Sequence, residues 1–583
     1  MSNEQMFSEA QKLYMEGLAR GLAITTGLGA PSSAEPSGPD ALMHQGQANN
    51  IALGRKLVPE EKMKQERHPL DRWSEITARA QKGEFPKGTD ILVTKYFGMF
   101  YVSPAQEAFM CRMRLPNGVI SSHQLRGVSR IAEAYGGGYT HVTTRANLQI
   151  REIAPEHPVR ILNDLCQLGI ISKGSGADNV RNITASPLSG IDPLELIDTR
   201  ELTVALNYHI VNSRELYGLP RKFNIAIDGG GSAAMLGETN DLSFQAARCE
   251  DTSDIYFHVG LGGITGHGDF AKETPFVVHY DHVIAVADAV LKVFIEHGNR
   301  SDRKKARLKY LLDDWGHDGF MAKVQERVPG LLRPAADYAL TTPTEIDRYA
   351  HIGAHAQRQD GLYYLGVGVP VGKLTAEQMQ GLADIAETFA SGDLRLTVWQ
   401  NIIIADIPKD ALASVEESVR ALGLETSPNA LRSNLVACTG SAGCKFAAAD
   451  TKRDAIALAD YLETVVTLDH PLNIHVTGCH HSCAQHVIGD IGLMACKVMQ
   501  GDDDVEAYDI FVGGGYAADP KIGTLLRPGV VVEDVPVFIE NMLRCYQGRR
   551  LNDQETFRGF IDRFSIDALK AELLGHIPLA QSA

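Results

Sequence analysis

The chain has 583 residues, 44% hydrophobic and 22% charged, with a net charge of −16. That length predicts two to four globular domains. The acidic balance excludes nucleic acid or an anionic membrane as the main partner, and apolar runs such as Asn401-Ile-Ile-Ile-Ala405 are too short to span a bilayer.

The N-terminus is polar and acidic and lacks the basic-then-apolar layout of a signal peptide. A helix is expected over 8–22, followed by a turn-rich stretch over 25–39 without periodicity. Residues 1–95 read as an arm or linker.

From Tyr96 the chain becomes regular, and a repeat emerges. Met113-Arg-Leu-Pro-Asn-Gly118 leads into Gln124-Leu-x-Gly-x-x-x-Ile-Ala-Glu133 and then Thr143-Thr-Arg-Ala-Asn-Leu148. Val367-Gly-Val-Pro-Val-Gly372 leads likewise into Gln378-Met-x-Gly-x-x-x-Ile-Ala-Glu387 and then Thr397-Val-Trp-Gln-Asn-Ile402. Pro116 and Pro370, Gly127 and Gly381, Asn147 and Asn401, and Gly169 and Gly423 are each 254 positions apart, so the chain carries a duplication. Each copy reads strand, helix, strand, helix. Thr375 and Gln378 have capping-box spacing, and Leu382, Ile385, Ala386 and Phe389 supply a helical apolar face. Similarity continues more weakly: Phe223-Asn-Ile-Ala-Ile-Asp-Gly229 echoes Leu472-Asn-Ile-His-Val-Thr-Gly478, and Val259-Gly-Leu-Gly-Gly263 echoes Val512-Gly-Gly-Gly515. These glycines do not make a dinucleotide fingerprint.

In the second half, Cys438-Thr-Gly-Ser-Ala-Gly-Cys444 and Gly478-Cys479-His-His-Ser-Cys483-Ala-Gln485 bring together four of nine cysteines. Small residues let the backbone close around something bulky, and thiolates suit soft metals and iron–sulfur clusters. Structural zinc usually spaces its thiols C-x2-4-C, which C-x3-C satisfies and C-x5-C does not. Unrelated buried cysteines are the remaining alternative. An odd cysteine count without a disulfide framework points to a reducing cytoplasm. Cys111, Cys166, Cys249, Cys496 and Cys545 have no paired spacing and are expected to be buried structural thiols; His480 and His481 are expected not to be ligands.

The paired motifs closely resemble those of the siroheme-dependent nitrite and sulfite reductases. In that family C-x5-C plus C-x3-C holds a [4Fe–4S] cluster and the last thiolate also reaches the siroheme iron. The resemblance therefore implies Cys438, Cys444, Cys479 and Cys483 as metal ligands, with Cys483 shared. His480 and His481 stand where the family commonly has Pro and Asn, which leaves the ligands in place but changes the loop between them. The implied fold is α+β, two related halves about a pseudo-two-fold, in three domains with the cofactors at their junction. Ferredoxin-like half-domains over 96–170 and 360–427 would pair into one domain. A basic substrate and siroheme domain would occupy 171–359, and a [4Fe–4S] and siroheme domain 428–583. Ser186 falls near the position of Cys438, so only the second half would carry cluster ligands.

Four first-half residues match the family's substrate pocket: Arg112, Arg181, Lys222 and Asn224. Strand alternation puts Lys222 and Asn224 on one face. Arg145, Gln149, Arg221 and the run Gly298-Asn299-Arg300-Ser-Asp-Arg303-Lys304 match positions near the eight-carboxylate siroheme; residues 300–309 also read as a basic helical face or a docking patch for an acidic carrier. Sulfite reductases of this family tend to have Lys-x-Lys where Lys222-Phe-Asn224 stands, and nitrite reductases Lys-x-Asn. Sulfite is a dianion near neutral pH and nitrite a monoanion, so a neutral amide suits nitrite. The resemblance thus implies an assimilatory nitrite reductase that is a cytoplasmic monomer and takes electrons from reduced ferredoxin or a similar one-electron donor. The alternatives are a sulfite reductase of the same build, a zinc scaffold, or a cluster protein for electron transfer alone.

Overall fold

The computed structural model describes residues 38–343 and 346–574. The helix expected over 8–22, and the turn-rich stretch up to residue 37, lie outside the described residues. Among the described residues no helix is long and apolar enough to cross a membrane.

The repeat is visible atom by atom. Helices Ser122–Tyr135 and Ala376–Phe389 both start on capping boxes. Ser121 accepts from Gln124 N at 3.2 Å and Thr375 from Gln378 N at 3.1 Å, while each Gln side chain accepts from its cap residue's N–H at 3.0 Å. The same glutamines then donate to Leu168 O and Leu422 O, again 254 positions apart, at 3.0 and 3.1 Å.

What periodicity does not reveal is that the copies exchange a strand. Lys373–Thr375 from the second copy pairs with Tyr139–Val142 of the first, and Val119–Ser121 from the first pairs with Asp393–Leu396 of the second. The registers Lys373↔His141 and Val119↔Arg395 are the same pair under the 254-residue shift. One core therefore runs through both copies, from Met99 and Leu125 to Leu382 and Ile404. Gly118 and Gly372 make the exchange possible. Their φ values of +71° and +68° suit glycine, and a Cβ on either would meet the other copy's backbone, Leu396 O at 2.3 Å or Val142 O at 2.5 Å. Gly118→Ala is expected to destabilise the fold by at least about 2 kcal/mol, read as a lower urea midpoint at unchanged slope.

The weaker echoes become two mixed sheets of like topology. Thr184–Ala185, Ile225–Asp228 and Leu242–Cys249 run parallel, as do Leu435–Ala437, Ile474–Thr477 and Ile491–Gln500; antiparallel strands follow in both. Ala185 pairs with Ile227 as Ala437 pairs with Val476, which sets Ser186 at the position of Cys438. Each sheet has its own core, one around Phe223, Phe244 and Phe294, the other around Ile474, Ile510 and Ile539.

The reading of residues up to 95 as arm or linker is corrected. Helices Ala41–Ala52, Pro59–Glu66, Trp73–Lys82 and Asp90–Tyr96 fill the described part of that segment. Gly46 brings the first of them against helix Val283–His297, where a Cβ would stand 2.3 Å from Ile295 O. Asn49 and Asn50 donate to the carbonyls of Glu296 and Gly298 at 3.0 Å each. Sequence spacing does not show this docking, because two of the segment's charged side chains, Glu61 and Lys64, are buried against Arg300 and Asp178, partners far away in sequence.

Candidate active site

The thiols are delivered by neighbouring parallel strands. Leu435–Ala437 ends at Cys438 and Ile474–Thr477 ends at Gly478, so both cysteine loops leave the same edge of one sheet. Cys438 N donates to Val476 O at 3.0 Å, and Gly478 N donates to Cys438 Sγ at 3.1 Å. A side chain at 478 would press within 2.5 Å of Ala447 Cβ, which explains the glycine. The second loop turns tightly, with Ser482 and Gln485 at φ +49° and +56°.

All four cysteines line one cleft of about 640 Å³. Among the described residues no three His, Cys, Asp or Glu side chains converge as a single metal ion requires. The donors are cysteine sulfurs, the ligands that soft metals and iron–sulfur clusters take.

The facing walls are cationic. Nine Lys and Arg side chains line the cleft and, among the described residues, no Asp or Glu does, in a chain of net charge −16. Strand Ala108–Arg112 presents Arg112, whose guanidinium lies 4.5 Å from the Phe100 ring centre. Across the strand pair, the Gln149 amide oxygen, turned to satisfy both groups, accepts from Arg112 Nη2 and Nε at 3.1 and 3.2 Å. Arg181 is gripped by its own loop, donating to Ser175 O and Ala177 O at 2.8 Å each. Asp241 accepts from Asn224 N at 2.8 Å and from Arg307 at 2.7 and 3.0 Å, setting two lining residues at once. Arg145 donates to Asn240 Oδ1.

Enclosure and mutual repulsion act on these cations together. Desolvation, then Arg307, brings Lys222 down to about 7. Desolvation, then Arg181, brings Lys95 to about 8. Desolvation brings Lys452 to about 7 and Arg112 and Arg145 to about 10. Desolvation, and then the neighbouring Cys438, pushes the Cys483 thiol up to about 11. A bound polyanion relieves the repulsion among the cations. His141 Nδ1, Arg151 Nε and Thr477 Oγ1 line the same cleft, are buried, and find no hydrogen-bond partner among the described residues.

The structure therefore brings together Arg112, Arg145, Gln149, Arg181, Lys222, Asn224 and the four cysteines. Four expected cofactor residues stand outside the lining. Asn299 Oδ1 accepts from Ser301 N and Oγ at 2.8 Å, building a turn. Arg300 is buried, bonded to Glu61 at 2.6 Å and to the carbonyls of Gly218 and Ile295. Arg303 holds Asp178 through two bonds of 2.7 and 3.0 Å, and half-exposed Arg221 lies 3.8 Å from the same carboxylate. Those guanidinium groups are engaged with acids that sequence spacing cannot reveal. Conversely, Lys95, Arg151, Lys445 and Lys452 line the cleft although no motif points to them, and Arg307 faces it from the 300–309 run expected to be a basic face or docking patch. Arg151 alternates with Gln149 on its strand, a signal that was available; it reaches Gly443 O at 3.1 Å in the first cysteine loop. His481 also lines the cleft, with Nδ1 3.4 Å from Cys479 Sγ. Of the other cysteines, Cys111 and Cys249 are buried, but Cys166 is exposed, contrary to expectation, because it falls on the outer face of helix Pro158–Gln167.

A family model described as "Nitrite and sulphite reductase 4Fe-4S domain" matches residues 176–331 and 429–579. Another, "Nitrite/Sulfite reductase ferredoxin-like half domain", matches 102–168 and 355–422. The chain is 38% identical over 457 residues to the ferredoxin–nitrite reductase of Synechococcus elongatus, covering 77% of this chain and 88% of that one. It is 34% identical over 508 residues to the chloroplastic ferredoxin–nitrite reductase of Zea mays, covering 84% and 89%. The solved structure of the Mycobacterium tuberculosis NirA protein superposes with a TM-score of 0.82 at 27% identity, over 89% of this chain and 99% of that one.

Proposed function

This chain belongs to the nitrite and sulphite reductase family, and from that membership we infer that its cleft reduces nitrite to ammonia with electrons from ferredoxin. The overall change is NO₂⁻ + 6 e⁻ + 8 H⁺ → NH₄⁺ + 2 H₂O. The observation that carries the reading is the meeting, in one cleft, of four thiols with nine cations and no lining carboxylate among the described residues.

That donor set fits the family's two cofactors. Cys438, Cys444, Cys479 and Cys483 would hold a [4Fe–4S] cluster, with Cys483 shared with the siroheme. Arg145, Arg151 and Arg307, together with the unpartnered His141 Nδ1, suit a ring of carboxylates. When bound, the coupled pair supplies electrons one at a time and an iron for the substrate nitrogen.

The chain's own residues do the rest. Arg112, Arg181 and Lys222 neutralise the oxyanion and draw charge toward its oxygens as the N–O bonds weaken, an effect strengthened where water is excluded. Gln149 and the Ser175 and Ala177 carbonyls keep the two guanidiniums from swinging away. Asn224 offers an amide in place of a further cation, which fits a monoanion better than a dianion. The nine unpaired thiols fit a reducing cytoplasm, and the protein is taken to work as a monomer; a dimer in sedimentation would refute the second.

The test is kcat/KM for nitrite and for sulfite with photoreduced viologen as donor. Nitrite is expected to be strongly preferred, and Asn224→Lys to move the ratio toward sulfite by about tenfold, or ~1.4 kcal/mol of differential transition-state binding. A wild-type preference for sulfite would overturn the reading.

A further inference from the structure

We propose that Lys64 is a positioning residue for the anion-binding cations: from helix Pro59–Glu66 it ties the loop carrying Arg181 to the loop carrying Lys222 and Asn224, and so sets the spacing of the substrate pocket. The proposal rests on the reading of those three residues as the pocket. Lys64 itself touches neither substrate nor cleft.

Helix Pro59–Glu66 places Lys64 in the protein interior at 1% exposure. Its ammonium has three protons and three acceptors: Glu61 Oε1 at 2.6 Å, Asp178 Oδ2 at 2.9 Å and Leu219 O at 3.1 Å. Asp178 lies three residues before Arg181, in the loop whose Ser175 and Ala177 carbonyls hold the Arg181 guanidinium. Leu219 lies three residues before Lys222. One point charge thus bonds to both loops at matching distances upstream of the residues that face the cleft. A backbone bond between the loops, Arg181 N to Phe223 O at 2.8 Å, keeps that relation on the cleft side.

The tie is itself anchored. Glu61 accepts from Arg300 Nη1 at 2.6 Å and Gln47 Nε2 at 3.1 Å, and Asp178 takes two bonds from Arg303. Burial opposes the ionised form of Asp178, yet Lys64 and then Arg303 hold its carboxyl well below the ordinary range. A buried ionic cluster is a weak route to stability, since apolar residues of similar volume often serve as well. What apolar residues cannot do is fix two loops through directional bonds to one carbonyl and one carboxylate. Displacements of about 1 Å at reacting groups can cost on the order of 10²-fold in rate.

The experiment compares wild-type holoenzyme with Lys64→Met and with Lys64→Gln, which leaves a polar group beside the Glu61 and Asp178 carboxylates should the first variant fail to fold; Asp178 keeps Arg303 in both. Two readouts are taken: hydrogen exchange of the backbone amides in 174–181 and 219–224, and the Kd of nitrite from absorbance titration of the oxidised enzyme. Faster exchange in both loops together with a Kd raised about tenfold or more is the expected result. Unchanged exchange in either loop, or an unchanged Kd with only a lower thermal midpoint, would overturn the proposal. Should wild type prefer sulfite, the assignment of substrate fails separately; the exchange readout and a sulfite Kd then decide the tie by the same criteria.

Discussion

Replacing Cys483 by Ser is expected to cut nitrite turnover by about 10³-fold or more and to alter the haem and cluster spectra together. Cys483 sits on the tight second loop, between residues at φ +49° and +56°, in the same cleft as Lys222 and the other three cysteines. A hydroxyl is far less acidic than a thiol and is a hard oxygen donor, so it does not replace a thiolate on a soft cluster. Loss of an outer partner of a metal site typically costs 10–100-fold; loss of a ligand shared by two groups should exceed that. Iron, acid-labile sulfide and absorbance on purified protein, alongside ammonia production, make the check. Normal spectra for both groups would remove Cys483 from its shared role.

The second large effect is expected at Lys222. Lys222→Met keeps an unbranched side chain one atom shorter and deletes its charge, and kcat/KM for nitrite should fall by about 10²–10³-fold, some 3–4 kcal/mol of transition-state stabilisation. The ammonium is already desolvated and crowded by Arg307 and Arg181, so folding gains little from it. The thermal midpoint is therefore expected to hold or rise, separating a catalytic loss from a structural one. A variant that lost stability while keeping kcat/KM would show Lys222 to be a structural residue instead.

Local order was open to reading in the amino-acid string. The capping box at Thr375 and the cysteine spacing depend on neighbours within a few positions, the 254-residue offset shows on laying the chain against itself, and the structure displays each of them. The resemblance also selected Arg112, Arg181, Lys222 and Asn224, which converge on one cleft although they come from separate elements. Arg300 and Arg303 show the boundary of such reading. Their motif is local, but their partners Glu61 and Asp178 lie 239 and 125 positions away, so only the packed chain reveals that these charges are consumed in the interior. The same holds for Lys64, which reads as one more lysine on a charged helix until Asp178 and Leu219 are folded around it. By itself the sequence determined the elements of the two repeats, that they are duplicated, and which ligand chemistry the cysteines offer; the helices before Tyr96 it did not disclose. The tertiary structure decided which charges face the cleft and which hold it open, along with the strand exchange that joins the two copies. Periodicity and capping act between near neighbours, whereas the choice of partner for a buried charge belongs to the topology.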